Sequence, residues 1–363
     1  MKKEPLSNLR VLDFSTLLPG PLATLYLVQA GAEVIKIESP EKGDPIREYP
    51  PLRDGQSILF ELLNRGKHSV ALNLKDSKTH SRLLELIRST DILVEQFRPG
   101  VMERLELNYC SLRSINPGLI YCSITGYGQL GSFNQVAGHD LNYQAWTGLL
   151  DLIEECEGKP LVPPLIADIA GGAHPAVINI LLALIGRDQT GFGTCIDIAM
   201  IDGLFPFMLS AIANWLANNS IQSSGVDLLT GGSPRYQLYR TSDCQHLAVA
   251  ALEDRFWQRV VELIGLPAEL RSNDAEARLV RRSVAEIIQR ESGSYWQLRF
   301  KGEDVCSTVV RSLTDTLSGP DILARNRVDL SQNPAINLLS IPANNTTMFP
   351  APIHGEHNNH FGF

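Results

Sequence analysis

Apolar residues arrive early in the chain as short runs separated by turn formers. Arg10-Val11-Leu12-Asp13-Phe14 reads as a brief strand, and Pro19-Gly20-Pro21 reads as a turn. Leu22 to Ala30 repeats apolar positions at helical spacing, Gly31 stops the run, and Glu33 to Glu38 reads as a second strand. This is a βαβ unit. The rhythm continues with a strand at Ser69 to Leu74, a helix at Ser77 to Ser89 and a strand at Ile92 to Glu95. A helix around Val101 to Leu105 follows, then a strand from Leu119 to Ile124 after Asn116-Pro117-Gly118. Alternating strands and helices of this kind predict a parallel sheet covered on both faces, because each parallel crossover lays a helix over the sheet.

After Gly126 the pattern changes to glycine-rich loops and long apolar helices, one from Gly171 through Gly186 and another from Ala199 into Asn219. The span 220–320 is different. It opens on Thr230-Gly231-Gly232-Ser233-Pro234, holds strand-like pieces at Tyr236 to Thr241 and His246 to Leu252, and continues as charged amphipathic helices. The fold class expected is therefore α/β: a Rossmann-like large domain of residues 1–219 plus 321–363, and a smaller α+β domain of residues 220–320. The weak periodicity after Pro320 fits an extended return arm. The apolar stretches Ala176 to Ile185 and Leu204 to Leu216 are too short or too broken to span a bilayer, which needs ~20 apolar residues, and are expected to be buried helices.

Composition narrows the partners. A chain of 363 residues with 44% hydrophobic content exceeds what one core usually serves, and its net charge of −8 disfavours nucleic acid or an anionic membrane as a partner. Cys110, Cys122, Cys156, Cys195, Cys244 and Cys306 have no close paired spacing, so neither a disulfide framework nor a zinc ribbon is expected. A reducing cytoplasm fits best. Met1-Lys2-Lys3-Glu4-Pro5 has no apolar run behind it, so no signal peptide is expected and the mature chain is expected to start there.

Several motifs fail their physical tests. Gly126-Tyr127-Gly128-Gln129-Leu130-Gly131 spells G-x-G-x-x-G, but Ser132 to Gly138 has no helical stripe in which the third glycine would sit, and Glu38 ends a strand whose preceding turn lacks the spacing. NAD binding is therefore disfavoured. His354, His357 and His360 are spaced by three, yet the glycines and asparagines among them argue against a common helical face, so a surface tail is expected and no metal site. No G-x-S-x-G elbow occurs.

Two residues stand out from small or apolar surroundings: His139 in Gly138-His139-Asp140-Leu141-Asn142-Tyr143, and Asp168 in Ala167-Asp168-Ile169-Ala170-Gly171-Gly172. A histidine and a carboxyl on opposite faces of one carbon are what reversible proton abstraction needs. By spacing alone, a structural histidine and a helix N-cap are the commoner explanation. The small residues after Asp168 would let a ligand approach a helix start, whose N–H groups favour negative charge. Glu253, ending the apolar run Ala250-Ala251-Leu252, is either functional or a solvated turn.

Together these strings resemble the family III CoA-transferases, and within them the α-methylacyl-CoA racemase branch. The resemblance is carried by Leu9 to Asp13 with Pro19-Gly20-Pro21, Gly31 to Glu38, Asn64-Arg65-Gly66-Lys67-His68-Ser69 leading to Leu72-Asn73-Leu74-Lys75, and Phe97 to Met102. Gly138 to Tyr143, Asp168 with its glycines, Gly231-Gly232-Ser233-Pro234 and Leu252-Glu253 continue it. It implies two interlocked chains with active sites between the large domain of one and the small domain of the other. It also implies coenzyme A as part of the substrate. Lys36, Leu72, Asn73, Leu74, Lys75, Arg98 and Arg104 would border the nucleotide, and Gly138, Asp140, Leu141, Asn142 and Tyr143 the thioester.

In the racemase branch His139 and Asp168 would be the two bases inverting C2 of a 2-methylacyl-CoA through an enolate. Glu253 would keep His139 in a useful protonation state, and backbone N–H groups near Asp168 and its glycines would take the enolate oxygen. No metal or further cofactor is required. In the transferase branch Asp168 would instead attack the thioester carbonyl and form an anhydride. The Gly-His-Asp string is of the racemase type. Arg235 before Tyr236, and Asp254-Arg255 after Glu253, depart from the racemase pattern, which suggests a polar or acidic acyl group or a catalytically silent CoA-binding protein.

Overall fold

The computed structural model describes residues 4–152, 155–156, 159–160, 165–221, 228–272, 274–325, 327–329, 334–339 and 349–363. The chain packs into two compact units, one of residues 1–147, 163–206 and 320–363, the other of residues 148–162 and 207–319. The stretch 207–219, read from sequence as part of the large domain, clusters with the second unit.

The first unit is built on six parallel strands: β1 (Arg10–Asp13), β2 (Glu33–Glu38), β3 (His68–Ala71), β4 (Ile92–Glu95), β5 (Ile120–Thr125) and β6 (Cys195–Ala199). Their order is β6-β5-β4-β1-β2-β3. The chain starts at the centre, moves outward through β2 and β3, and then returns to the other side of β1 with β4. The order therefore reverses between β1 and β4, where Val11 faces Val34 on one side and Ile92 on the other. A crevice opens at such a reversal, beyond the carboxyl ends of the strands, because the flanking crossovers leave in opposite directions. Strands β4 and β5 are buried along their whole length, which is why they read as unbroken apolar runs.

Local chemistry adjusts the expected elements. Helix α1 (Pro19–Gln29) begins inside the proline-glycine-proline stretch read as a turn: proline lacks an N–H that a first turn would leave unpaired anyway. Gly31 ends it at φ +99, a left-handed backbone that suits glycine. Helix α2 (Ser77–Arg88) is capped by Asp76, whose side chain accepts from Thr79 N at 2.9 Å. Strand β3 stops at Ala71, so Leu72 to Lys75 form a loop at its carboxyl end. The helix expected from Ala199 is broken. Residues Asp202–Met208 are 3-10 around Pro206, and an α-helix runs only over Leu209–Asn218.

The histidine-rich C-terminus is a docked segment rather than a loose surface tail. His357 N donates to Ser69 O at 2.9 Å, and Asn358 takes the N–H of Ala71 at 2.9 Å while its amide donates to Ala71 O at 3.0 Å. These bonds satisfy the open edge of β3, and Phe361 and Phe363 pack against the sheet core. Among the described residues no group of histidine, cysteine or carboxylate side chains is arranged to hold a metal ion.

The second unit carries an antiparallel sheet of β7 (Tyr236–Arg240), β8 (His246–Ala250) and β9 (Ser307–Val309), with Tyr236 opposite Ala250 and Leu247 opposite Val309. Two amphipathic helices, Asp254–Ile264 and Ala277–Ile288, bury Trp257, Val260, Val261, Val280 and Val284 against it.

Candidate active site

Beneath the β1 end of the crevice lies a network of buried charges. Lys36 Nζ sits 2.8 Å from Asp44 Oδ2 and donates to Ser15 O at 2.8 Å; Lys67 Nζ sits 3.1 Å from Asp13 Oδ2 and donates to Asn64 Oδ1 and Pro21 O. Burial pushes the Asp13 carboxyl up, but the ammonium groups of Lys67 and Lys36 outweigh it and hold Asp13 at about 2. Burial brings Lys67 down to about 8. Lys36 is fully enclosed, so its charge organises the chain after β2 and is not presented to solvent. Glu38 is similarly committed, paired to Arg47 at 2.7 Å and accepting from Ser69 Oγ at 2.6 Å.

At the carboxyl end of β4, the buried Glu95 accepts from Phe97 N at 2.8 Å, and Gln96 Oε1 accepts from Gly20 N at 2.9 Å. Burial pushes the Glu95 carboxyl to about 7, with Glu103 and Asp197 adding negative charge. These bonds shape the loop that carries Arg98, which is exposed, as are Asn73, Lys75 and Arg104. Leu72 is buried and Leu74 half-buried.

Beyond β5 the chain builds the site. Gly126 leaves room for Tyr143: a Cβ on Gly126 would lie 2.3 Å from the ring. Tyr143 is buried, donates to Gly138 O at 2.6 Å and meets Tyr127 edge-on at 5.3 Å, and burial raises its hydroxyl to about 12. His139 ends this loop as the residue before helix α3 (Asp140–Trp146), and its N–H donates to Asn142 Oδ1 at 3.0 Å. Its ring is exposed. Leu141 and Asn142 are exposed on the same turn.

Asp168 lies in a π-helical turn, Ala167–Ala173, that precedes helix α4 (His174–Thr190). π-Helical turns are uncommon and concentrate at functional sites. The turn is bound to α3 by one side chain: Asp140 Oδ1 accepts from Ala167 N at 2.7 Å and from Asp168 N at 2.9 Å. Asp140 Oδ2 accepts from Gln144 Nε2 at 2.5 Å. Burial and the Asp140 charge push the Asp168 carboxyl up to about 6, while His139 pulls it the other way. His139, Asp140, Tyr143 and Asp168 therefore form one cluster in the first unit.

Two expectations change. The N–H groups of Ala167 and Asp168 are satisfied by Asp140 and are not open to an enolate oxygen. Gly171 and Gly172 are buried against other chain segments and do not clear space for a ligand: a Cβ on Gly171 would lie 2.3 Å from Met200 O, and one on Gly172 would lie 3.1 Å from Pro19.

Glu253 is carried by the second unit, exposed at the start of the helix Asp254–Ile264. Two of the departures nearby, Arg235 and Asp254, prove to be one feature. Arg235 Nη1 donates to Asp254 Oδ1 at 2.7 Å and to Leu252 O at 2.9 Å, and its guanidinium lies 5.7 Å from the Trp257 ring centre. Arg235 thus ties the Gly231–Pro234 loop to the start of that helix. The Asp140 bridge and buried Glu95 were missed from sequence; the proximity of Asp140 to His139 was the only available signal for the former.

The chain matches the model of CoA-transferase family III over residues 6–358. It is 32% identical to the α-methylacyl-CoA racemase of Homo sapiens, covering 99% of this chain and 94% of that protein. It is 35% identical to the acetyl-CoA:oxalate CoA-transferase of Acetobacter aceti, covering 73% and 68%. The crystal structure of Rv3272 from M. tuberculosis superposes with a TM-score of 0.85 at 27% identity, covering 99% of both chains. The chain belongs to CoA-transferase family III, whose members include both racemases and CoA-transferases.

Proposed function

We propose that the protein is an epimerase that inverts C2 of a 2-methylacyl-CoA, or of a related 2-substituted acyl thioester, by proton transfer between His139 and Asp168. The observation that carries this reading is the single cluster of imidazole and raised carboxyl on two segments joined by Asp140. A group titrating near 6 is ionised often enough at neutral pH to take a proton and close enough to its pKa to give one back. One group breaks the C2–H bond, the electron pair passes onto the thioester oxygen as an enolate, and the other group delivers a proton to the opposite face. No redox or metal step enters this scheme. Coenzyme A is part of the substrate, with the exposed Lys75, Arg98 and Arg104 offered to its phosphates and Gly138 to Tyr143 to the thioester. Glu253 is proposed to steady the protonation state of His139.

The quaternary expectation also becomes a proposal. Helix α4 buries Ala176, Ile180 and Leu184 but leaves Ile178, Leu181, Leu182 and Ile185 exposed along one side, and the run Ala167–Thr190 is long and apolar enough to cross a membrane. An apolar face of this kind marks a contact surface. We assign it to a second copy of the chain, as the resemblance implies, in a cytoplasmic homodimer.

The test is incubation of a 2-methylacyl-CoA in heavy water. Deuterium at C2 together with both epimers is expected; no exchange removes the reading. His139→Ala should abolish exchange starting from one epimer at least, and chiral analysis of the products checks this. A second reading, CoA transfer, is favoured by relatives that are transferases at comparable identity. There Asp168 attacks the carbonyl and CoA leaves as thiolate, so hydroxylamine would trap an enzyme-bound anhydride and turnover would require an acceptor acid.

A further inference from the structure

Asp140 was assigned from sequence to the rim of the thioester site, but its side chain is occupied inside the protein. One carboxylate oxygen receives both N–H groups that open the Asp168 turn, and the other receives the amide of the buried Gln144. Among the described residues no backbone hydrogen bond joins α3 to the opening of that turn, although the two are separated by a long stretch of chain. We propose that Asp140 is the positioning residue of this site: its carboxylate fastens the Asp168 turn to the start of α3, and so fixes His139 and Asp168 against each other. This rests on the reading that Asp168 is the proton-transfer carboxyl, and it extends that reading to a residue whose side-chain oxygens are taken up by the protein's own N–H and amide groups.

Two consequences follow from the geometry. Bonds to a charged acceptor are stronger than neutral ones, and two of them converge on one oxygen, so the turn is held more firmly than its own short helical bonds would hold it. The same carboxylate places a negative charge beside Asp168, which together with burial keeps that group titrating near 6. The other groups in reach are few. From α3 and its cap they are His139, which opposes the shift, and Tyr143, on which Arg98 also acts. On the α1 side, Tyr26 and His174 are hydrogen-bonded to each other at 3.2 Å.

Position and charge can be separated by two substitutions. Asp140→Asn keeps an oxygen for the two N–H groups, and Gln144 can turn its amide over to accept from the new NH2 group, so the fold is retained while the charge is lost. Asp140→Ala removes both. The measurement is the titration of Asp168 by carbon-detected NMR of its carboxyl in the full-length protein, alongside the pH profile of heavy-water exchange.

For Asp140→Asn, the Asp168 midpoint should fall by roughly half a unit or more, as expected when a like charge is removed. The acid limb of kcat should move down with it while KM for the thioester stays put. For Asp140→Ala, kcat should fall on the order of tenfold or more at every pH, because misplacing a reacting group slows the chemistry itself. An unmoved Asp168 titration in Asp140→Asn, or a fully active Asp140→Ala, overturns the proposal. Loss of exchange in the unsubstituted protein with the NMR shift intact would instead overturn the epimerase reading and leave the role of Asp140 supported.

Discussion

Asp168 carries a stability signature of its own. In an unfolded chain its carboxyl titrates near 3.8, whereas the folded protein holds it at about 6, mainly through burial and then through Asp140. The folded state therefore binds the extra proton between these values. Stability falls as pH rises through that interval and stays lower above it, where the group is ionised in both states. Asp168→Asn abolishes the charge, so the variant should melt at a higher temperature than the parent at pH 8, and the difference should vanish as the pH falls below 3.8, where the group is protonated in both states. A scanning-calorimetry series with no difference at pH 8 would contradict this account. The candidate bases were legible because each stands alone in a small or apolar string. The bridging role of Asp140 was not, because a side-chain bond to backbone so far along the chain leaves no local trace beyond the place of Asp140 next to His139. Lys36 makes the same point in reverse: the family resemblance sets it beside the nucleotide, and only folding reveals Asp44 turned back against it.

The elements divide along similar lines. Strands β1, β2, β4 and β5 were readable because central parallel strands are buried on both faces and become continuous apolar runs. Strand β6, at the sheet edge, alternates exposed and buried positions in Cys195-Ile196-Asp197-Ile198-Ala199 and was passed over in favour of a helix beginning at Ala199. The docking of the C-terminus was invisible for a different reason. Asn358 meets Ala71 only after the sheet has formed. Asn358→Ala removes both bonds to Ala71, which should cost about 1–3 kcal/mol in urea unfolding and speed amide exchange along β3. Unchanged protection at Ala71 would mean that the segment merely lies beside the edge.

At the scale of the whole molecule, the apolar face of α4 is the surface on which the dimer proposal rests. Hydrophobic residues at Ile178, Leu181, Leu182 and Ile185 recur at helical spacing, and leaving them in water forgoes the stabilisation that burial provides. In the proposed homodimer, Leu182→Asp should shift sedimentation from dimer to monomer, because a carboxylate on that face would have to be desolvated. A parent protein that sediments as a monomer at micromolar concentration would remove the dimer proposal.

By itself the sequence determined the α/β class, the central strands, the family and the two candidate bases, since each of these is written in local periodicity or in short contiguous strings. Tertiary structure decided what those residues do to one another. It enclosed Lys36, bound Arg235 to Asp254, used Gly171 and Gly172 to admit neighbouring chain, and joined Asp168 to His139 through Asp140. Such pairings depend on distances between segments remote in the chain, and burial then sets which charges they carry.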